Sequence, residues 1–190
     1  MKNLNRVIYT SSPDRGLEHL VNMWPDVVKE VPEAQLHVFY GFQLFDKFYH
    51  DNPGAMQWRA ELSKKMVEYG IVDHGRIPQP ELVKEYEESS VWAYPTHFGE
   101  INCISAIKAQ AYGCEPVVVN YAALRETVQY GRKIEGDIYD KAVQEEFKKQ
   151  LIDALLNPMS DEKREEMRKW AIDKYEWSKI ATMWNDEFRR

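Results

Sequence analysis

The stretch from Pro95 to Val119 holds a carboxylate at Glu100, a run of small and apolar residues after it, and an ammonium at Lys108. A loop carboxylate repels phosphate, so the chemistry Glu100 suits is accepting hydrogen bonds from neutral hydroxyls, as on a sugar. The helix that follows leaves backbone N–H groups unpaired in its first turn, and these favour an anion such as phosphate. Far upstream, Arg15 stands beside Gly16 at the entrance to another helix. There a guanidinium can grip a phosphate through two parallel bonds.

Each of these residues also has a plainer reading. Ser11, Ser12 and Asp14 either line a ligand or cap the helix after Gly16. Arg15 is either a phosphate clamp or a solvated surface charge. Glu100 either accepts hydroxyls or offsets the dipole of the next helix. In His74-Gly75-Arg76-Ile77-Pro78 the glycine lets backbone approach a flat ligand, or marks an ordinary strand-end turn, and His74 reads as structural. The loop after Tyr94 carries His97, Phe98, Gly99, Glu100, Asn102 and Ser105. Cys103 lies at a helix start, which acidifies thiols, yet no partner His and Asn pattern supports a nucleophile there. Lys108 lies two turns beyond Glu100 and either faces the pocket or snorkels along the surface.

These loops need a scaffold that brings them to one edge, and the pattern supplies it. Apolar strands alternate with helical spacing: Arg6–Thr10, Gln35–Tyr40, a short strand in Ile71–Arg76, Val91–Tyr94 and Val117–Val119 read as strands. Leu17, Leu20, Val21, Trp24, Val27 and Val28 recur at helical spacing. Residues 57–69 and 79–86, the stretch up to Gly113, and about 140–156 and 161–175 read as further helices. Residues 43–54 read as an irregular aromatic excursion, and Gly131 as a turn. A last helix, about 176–190, carries Trp177, Ile180, Trp184 and Phe188. This predicts an α/β fold, a Rossmann-like three-layer sandwich with a mostly parallel sheet, formed by residues 1–190 as a single domain. In such sheets ligands bind at the carboxyl ends of the strands, where the loops after Thr10, Tyr40, Ile71–His74 and Tyr94 converge.

Composition narrows the classes. The chain has 190 residues, 44% of them hydrophobic, and a formal net charge of −6. It can bury a sizeable core. The acidic balance argues against a nucleic-acid coat, whose affinity comes from Lys and Arg displacing counterions. The two cysteines, Cys103 and Cys114, sit at opposite ends of one predicted helix. They lie roughly 16 Å apart, beyond disulfide reach, so reduced thiols in a cytoplasmic setting are expected. No transmembrane segment and no signal peptide is expected. The five histidines lack metal-ligand spacing, so no metal is expected. The absence of a Walker loop and of a Gly-x-Gly-x-x-Gly fingerprint argues against a dinucleotide enzyme.

Taken in order, Arg15-Gly16, Gly75-Arg76-Ile77 with Glu81-Leu82 and Tyr86, Pro95-Thr96, Glu100, and the run Lys108 to Val117 resemble the C-terminal half of a GT-B retaining glycosyltransferase, family 4 or group 1. The resemblance covers nearly the whole chain. It implies a donor-binding domain for a nucleotide-diphosphate sugar, acting without a cofactor or divalent metal. The acceptor would be held by an N-terminal domain outside this sequence, so the chain alone would transfer weakly or not at all. It implies that Glu100 holds donor sugar hydroxyls, and that backbone N–H groups of Ile101, Asn102, Cys103 and Ile104 face the sugar and diphosphate. Arg15 takes the place of the family's phosphate-binding lysine, and Arg76 and Ile77 border the nucleobase. Ser11, Ser12, Gly16, Gly75, His97 and Gly99 complete the expected lining. The family signature has two glutamates; the second, which holds the ribose hydroxyls, is Lys108 here. The terminal helix resembles the one with which the family packs back on its N-terminal half. The competing expectation is a non-catalytic scaffolding module that keeps the fold. An epimerase on the same fold ranks below both, because no acid–base pair stands out.

Overall fold

The computed structural model describes residues 2–189. Its sheet has six strands: β1 (Asn3–Tyr9), β2 (Gln35–Val38), β3 (Val72–Asp73), β4 (Ser89–Tyr94), β5 (Glu115–Val119) and β6 (Arg132–Ile134). Their order is β3-β2-β1-β4-β5-β6. Every adjacent pair is parallel, with Val7 opposite Leu36 and Val91, and Ala93 opposite Val117. Each residue of β4 and β5 is buried, as parallel strands covered on both faces require. The order reverses between β1 and β4, so a crevice opens where their exit loops part, the usual place for a ligand.

Nine helices are described: α1 (Leu17–Glu30), α2 (Gln43–Tyr49), α3 (Pro53–Glu68), α4 (Gln79–Glu88), α5 (Ile104–Ala111), α6 (Leu124–Thr127), α7 (Lys141–Leu156), α8 (Asp161–Tyr175) and α9 (Trp177–Phe188). They pack in two groups, α1 with α3 and α7, and α4 with α5 and α8. The core sits between these layers and the sheet, around Trp24, Trp92, Tyr9, Tyr86, Tyr94 and Phe147.

The expected layered α/β fold with its parallel sheet is what forms, each described pairing being parallel. Three local expectations change. Residues 43–49 form a helix, α2, not an irregular excursion. Its Phe45 packs on Tyr49 and Trp58, with centroids 4.7 and 5.2 Å away, and this tertiary packing holds a segment too short to be stable alone. The turn at Gly131 leads into β6, a strand of three residues, too short to print an alternating pattern. α3 also starts earlier than expected, at Pro53, where the Asn52 side chain accepts from the Ala55 N–H at 3.1 Å.

Candidate functional site

The loops leaving β1 and β4 are pressed together by one residue. Gly16 has φ 113°, and a Cβ built there would lie 2.2 Å from the Pro95 carbonyl oxygen. Only glycine allows both the left-handed backbone and this approach. The residue before it, Arg15, closes a 3-10 turn over Pro13–Arg15 and points its guanidinium at the β4 loop. Its Nη1 donates to Glu100 Oε1 at 3.2 Å, and its guanidinium carbon lies 3.9 Å from the centroid of the Phe98 ring.

Glu100 is held from a second side. The Tyr94 hydroxyl, at the end of β4, donates to the same Oε1 at 2.6 Å and accepts from Ser11 Oγ at 3.2 Å. Both bonds to Glu100 fall on one oxygen, which leaves Oε2 for another donor. The Glu100 side chain is 10% exposed and that of Arg15 35%. Burial works against the Arg15 charge, but Glu100, Tyr94 and Asp14 together hold the guanidinium above its ordinary value. Burial, with the bond to Glu100, pushes the Tyr94 phenol up, so it stays a donor.

Glu100 therefore pairs with Arg15 and Tyr94 rather than capping α5, whose N-cap is Cys103 without a side-chain bond. Nor do Ser12 and Asp14 cap α1; its N-cap is Gly16. Cys103 is buried, and burial raises its thiol to about 12, so it is no nucleophile. Cys114 is also a free, buried thiol. Of the backbone donors ahead of α5, the Ile104 N–H is turned onto the Asn102 carbonyl at 3.1 Å. Ile101 and Asn102 are exposed.

A hollow of about 460 Å³ opens beside this cluster. Its aromatic and aliphatic walls include Phe39, Tyr40, Ile77, Leu82, Tyr86 and Ile104, and its polar rim includes Arg76, Gln79, Ser105 and Lys108. Arg15 and Glu100 are not among its walls; the first turn of α5, through Ile104 and Ser105, borders it. The loop that carries Arg76 is built by Gly75, at φ 63°. Its N–H donates to Asp73 Oδ1 at 2.9 Å and its carbonyl accepts from the Tyr40 N–H at 2.8 Å. Lys108 faces this hollow and donates to Gln79 Oε1.

His97 lies elsewhere. Its ring stands 6.0 Å from that of His19 and 5.2 Å from that of Tyr139. It lines a separate hollow with Asp14, Glu18 and Trp58. A Cβ built at Gly99 would lie 3.9 Å from the Tyr121 ring, an ordinary contact. Tyr94, Gln79 and Thr10 join the arrangement although the sequence reading gives them no role in it, and Phe98, which that reading places in the loop, lies against Arg15. A tyrosine that ends a buried strand just before a carboxylate-bearing loop was the available signal for Tyr94.

The arrangement can pair an anion with the partly exposed guanidinium, accept hydroxyls on a buried carboxylate, and seat a flat apolar group nearby. Among solved structures, a pneumococcal O-GlcNAc transferase, GtfA, in complex with UDP and GlcNAc, is similar with a TM-score of 0.74 and 13% identity over 98% of this chain and 35% of that one. Sucrose-phosphate synthase from Thermosynechococcus elongatus has a TM-score of 0.74 and 19% identity, covering 97% of this chain and 44% of that one. Anabaena HepE in complex with UDP and glucose has a TM-score of 0.67 and 13% identity, over 97% of this chain and 48% of that one. The chain thus spans about a third to a half of these relatives. No curated protein matches the sequence. The profile of the glycosyl transferases group 1 matches residues 6–174, and with that match and this fold the chain belongs to the group 1 glycosyltransferase family.

Proposed function

We propose that residues 1–190 form one unit, the donor-binding half of a retaining glycosyltransferase. It holds a nucleotide-diphosphate sugar while a separate N-terminal domain presents the acceptor. The observation that carries this reading is the Arg15–Glu100 pair, drawn from the exits of β1 and β4 and set beside the start of α5. Glu100 would turn Oε2 to the sugar hydroxyls. Arg15, with N–H groups to spare beyond the one given to Glu100, would pair with the diphosphate. The N–H groups of Ile101, Asn102 and Cys103 would add their dipoles. Charge gathered there stabilises the departing nucleoside diphosphate, with no divalent metal required. The base would enter the hollow at Arg76 and Ile77.

The solved relatives with UDP in their sites support this choice of ligand. Their greater length agrees with a missing half. The exposed apolar stripe of α9, with Trp177, Trp184 and Phe188, is the surface such a half would cover. A cytoplasmic setting agrees with two free thiols and with the lack, among the described residues, of a helix long and apolar enough to cross a membrane.

Titration calorimetry with UDP and UDP-glucose tests the assignment. Arg15→Ala should weaken UDP binding tenfold or more, since a hydrogen bond to a charged group is worth about 1.5–3 kcal/mol. Glu100→Ala should weaken UDP-glucose while leaving UDP unchanged or tighter, because Arg15 is released. Equal loss for both ligands would remove Glu100 from the sugar. No thermal stabilisation by any nucleotide sugar would favour the scaffolding module instead.

A further inference from the structure

We infer that Tyr94 is a positioning residue: its hydroxyl keeps Glu100 and Arg15 from closing fully on each other, so that an acceptor stays free for the donor sugar and N–H groups stay free for the diphosphate. This role rests on the donor-binding reading above. A guanidinium and a carboxylate side by side favour two parallel bonds, one to each oxygen, the strongest form such a pair takes. Low exposure favours that closed fork further, because little water competes for it. The Glu100 side chain is 10% exposed, yet Arg15 holds it through a single bond, from Nη1 to Oε1 at 3.2 Å. A closed fork would occupy both carboxylate oxygens and two guanidinium N–H groups. The pair would then satisfy itself, and a ligand would have to break it.

What holds the pair open comes from the end of β4. The Tyr94 hydroxyl donates to the same Oε1 at 2.6 Å, the shorter of the two bonds. That bond fixes the rotation of the carboxylate, and in the orientation it fixes, Oε2 makes no bond to Arg15. Tyr94 itself has little freedom. It is fully buried, its ring packs on Trp92 and Tyr9 with centroids 5.0 and 5.8 Å away, and its hydroxyl accepts from Ser11 Oγ at 3.2 Å. The phenol is therefore aimed from β4 and from the exit of β1 together. Burial first, then the bond to Glu100, keep its proton in place at neutral pH. Arg15 is steadied from its flat side by the Phe98 ring, 3.9 Å away. Stacking covers a guanidinium face and leaves the N–H groups, which lie in its plane, available.

Tyr94→Phe keeps the buried ring and removes only the hydroxyl. The experiment is calorimetric titration of the full chain with UDP and UDP-glucose for wild type, Tyr94→Phe, Glu100→Ala and the double variant. Y94F should weaken UDP-glucose about threefold or more beyond any effect on UDP, since the sugar loses its acceptor while the diphosphate keeps the Arg15 charge. With Glu100→Ala already present, Y94F should change neither affinity by more than about twofold, because there is no carboxylate left to orient. Far-ultraviolet circular dichroism and a melting curve establish that each variant is folded. If Y94F does not fold, Ser11→Ala, which frees the phenol to turn, takes its place in the same cycle with the same expected sign. Equal weakening of both ligands, no weakening of either, or a loss that persists without Glu100 would make Tyr94 a support of the fold alone and overturn the inference, with the donor-binding reading intact. If neither ligand binds, or Glu100→Ala does not separate UDP-glucose from UDP, the reading beneath fails and the inference with it.

Discussion

His37, in β2 and outside the candidate site, sits in surroundings that change its chemistry. Its Nδ1 lies 2.8 Å from His74 Nε2 and 3.1 Å from Arg6 Nη2, and the His74 ring stacks on Phe39 with centroids 4.4 Å apart. Burial first, then the Arg6 charge, then His74 lower its pKa from 6.5 to about 4. Between those values the unfolded chain binds a proton that the folded chain refuses, so stability falls as the pH drops from 6.5 towards 4 and levels off below. The ring is only half buried. Allowing for screening by water, the loss should be about 1–2 kcal/mol. Urea unfolding measured from pH 7 to pH 4 should show that slope, and His37→Asn should flatten it; parallel slopes would exclude His37 as the source. Gly16 makes a sharper demand. Gly16→Ala places a methyl 2.2 Å from the Pro95 carbonyl oxygen at a φ of 113°. It should cost at least about 2 kcal/mol, read as a lowered Tm. It should also weaken nucleotide binding, because the β1 and β4 loops must part.

How α8 attaches to the sheet depends on one buried guanidinium. Arg164 is 4% exposed. Its Nη1 donates to the carbonyls of Ser90 and Gly113 at 3.1 and 2.8 Å, its Nη2 to Ser90 Oγ at 2.9 Å, and its Nε to the Met159 carbonyl at 3.0 Å. α8 is thereby tied both to the start of β4 and to the turn that leads into β5. Arg164→Ala strands two buried carbonyls and should destabilise by about 3 kcal/mol in urea unfolding. Arg164→Lys should recover only part of that, since an ammonium cannot span the same fork. Gln110 plays a comparable part between α5 and β6. Its amide donates to the Ala106 and Thr127 carbonyls, and its carbonyl accepts from the N–H groups of Gln129 and Tyr130. From sequence Gln110 reads as one more residue of a small-residue helix and Arg164 as a surface charge on a polar one. Nothing local marks either as buried, because most of their partners lie 17 or more positions away.

At the scale of the whole molecule, α9 packs on α8. None of its residues is buried, and Trp177, Met183, Trp184 and Phe188 are 83, 67, 58 and 78% exposed. Ending the chain after Tyr175 should change the free energy of unfolding by no more than about 1 kcal/mol. It should also raise solubility, since an exposed apolar stripe favours association. Loss of a cooperative urea transition in the shortened chain would place α9 in the core instead. Apolar alternation and helical spacing sufficed to predict the layered α/β class, the central strand β4 and the helix α5, because burial on two faces writes long apolar runs into sequence. The residue types at 15, 100 and 108 likewise set the charge that each could bring to a ligand. The pairing of Arg15 with Glu100, the turn of Tyr94 onto the same carboxylate oxygen, the move of His97 to a separate hollow, and the shared face of Lys108 and Gln79 were decided by tertiary structure alone. They depend on which strand lies next to which and on how closely two loops approach. Contacts across 85 positions, such as Arg15 to Glu100, leave no trace in local spacing.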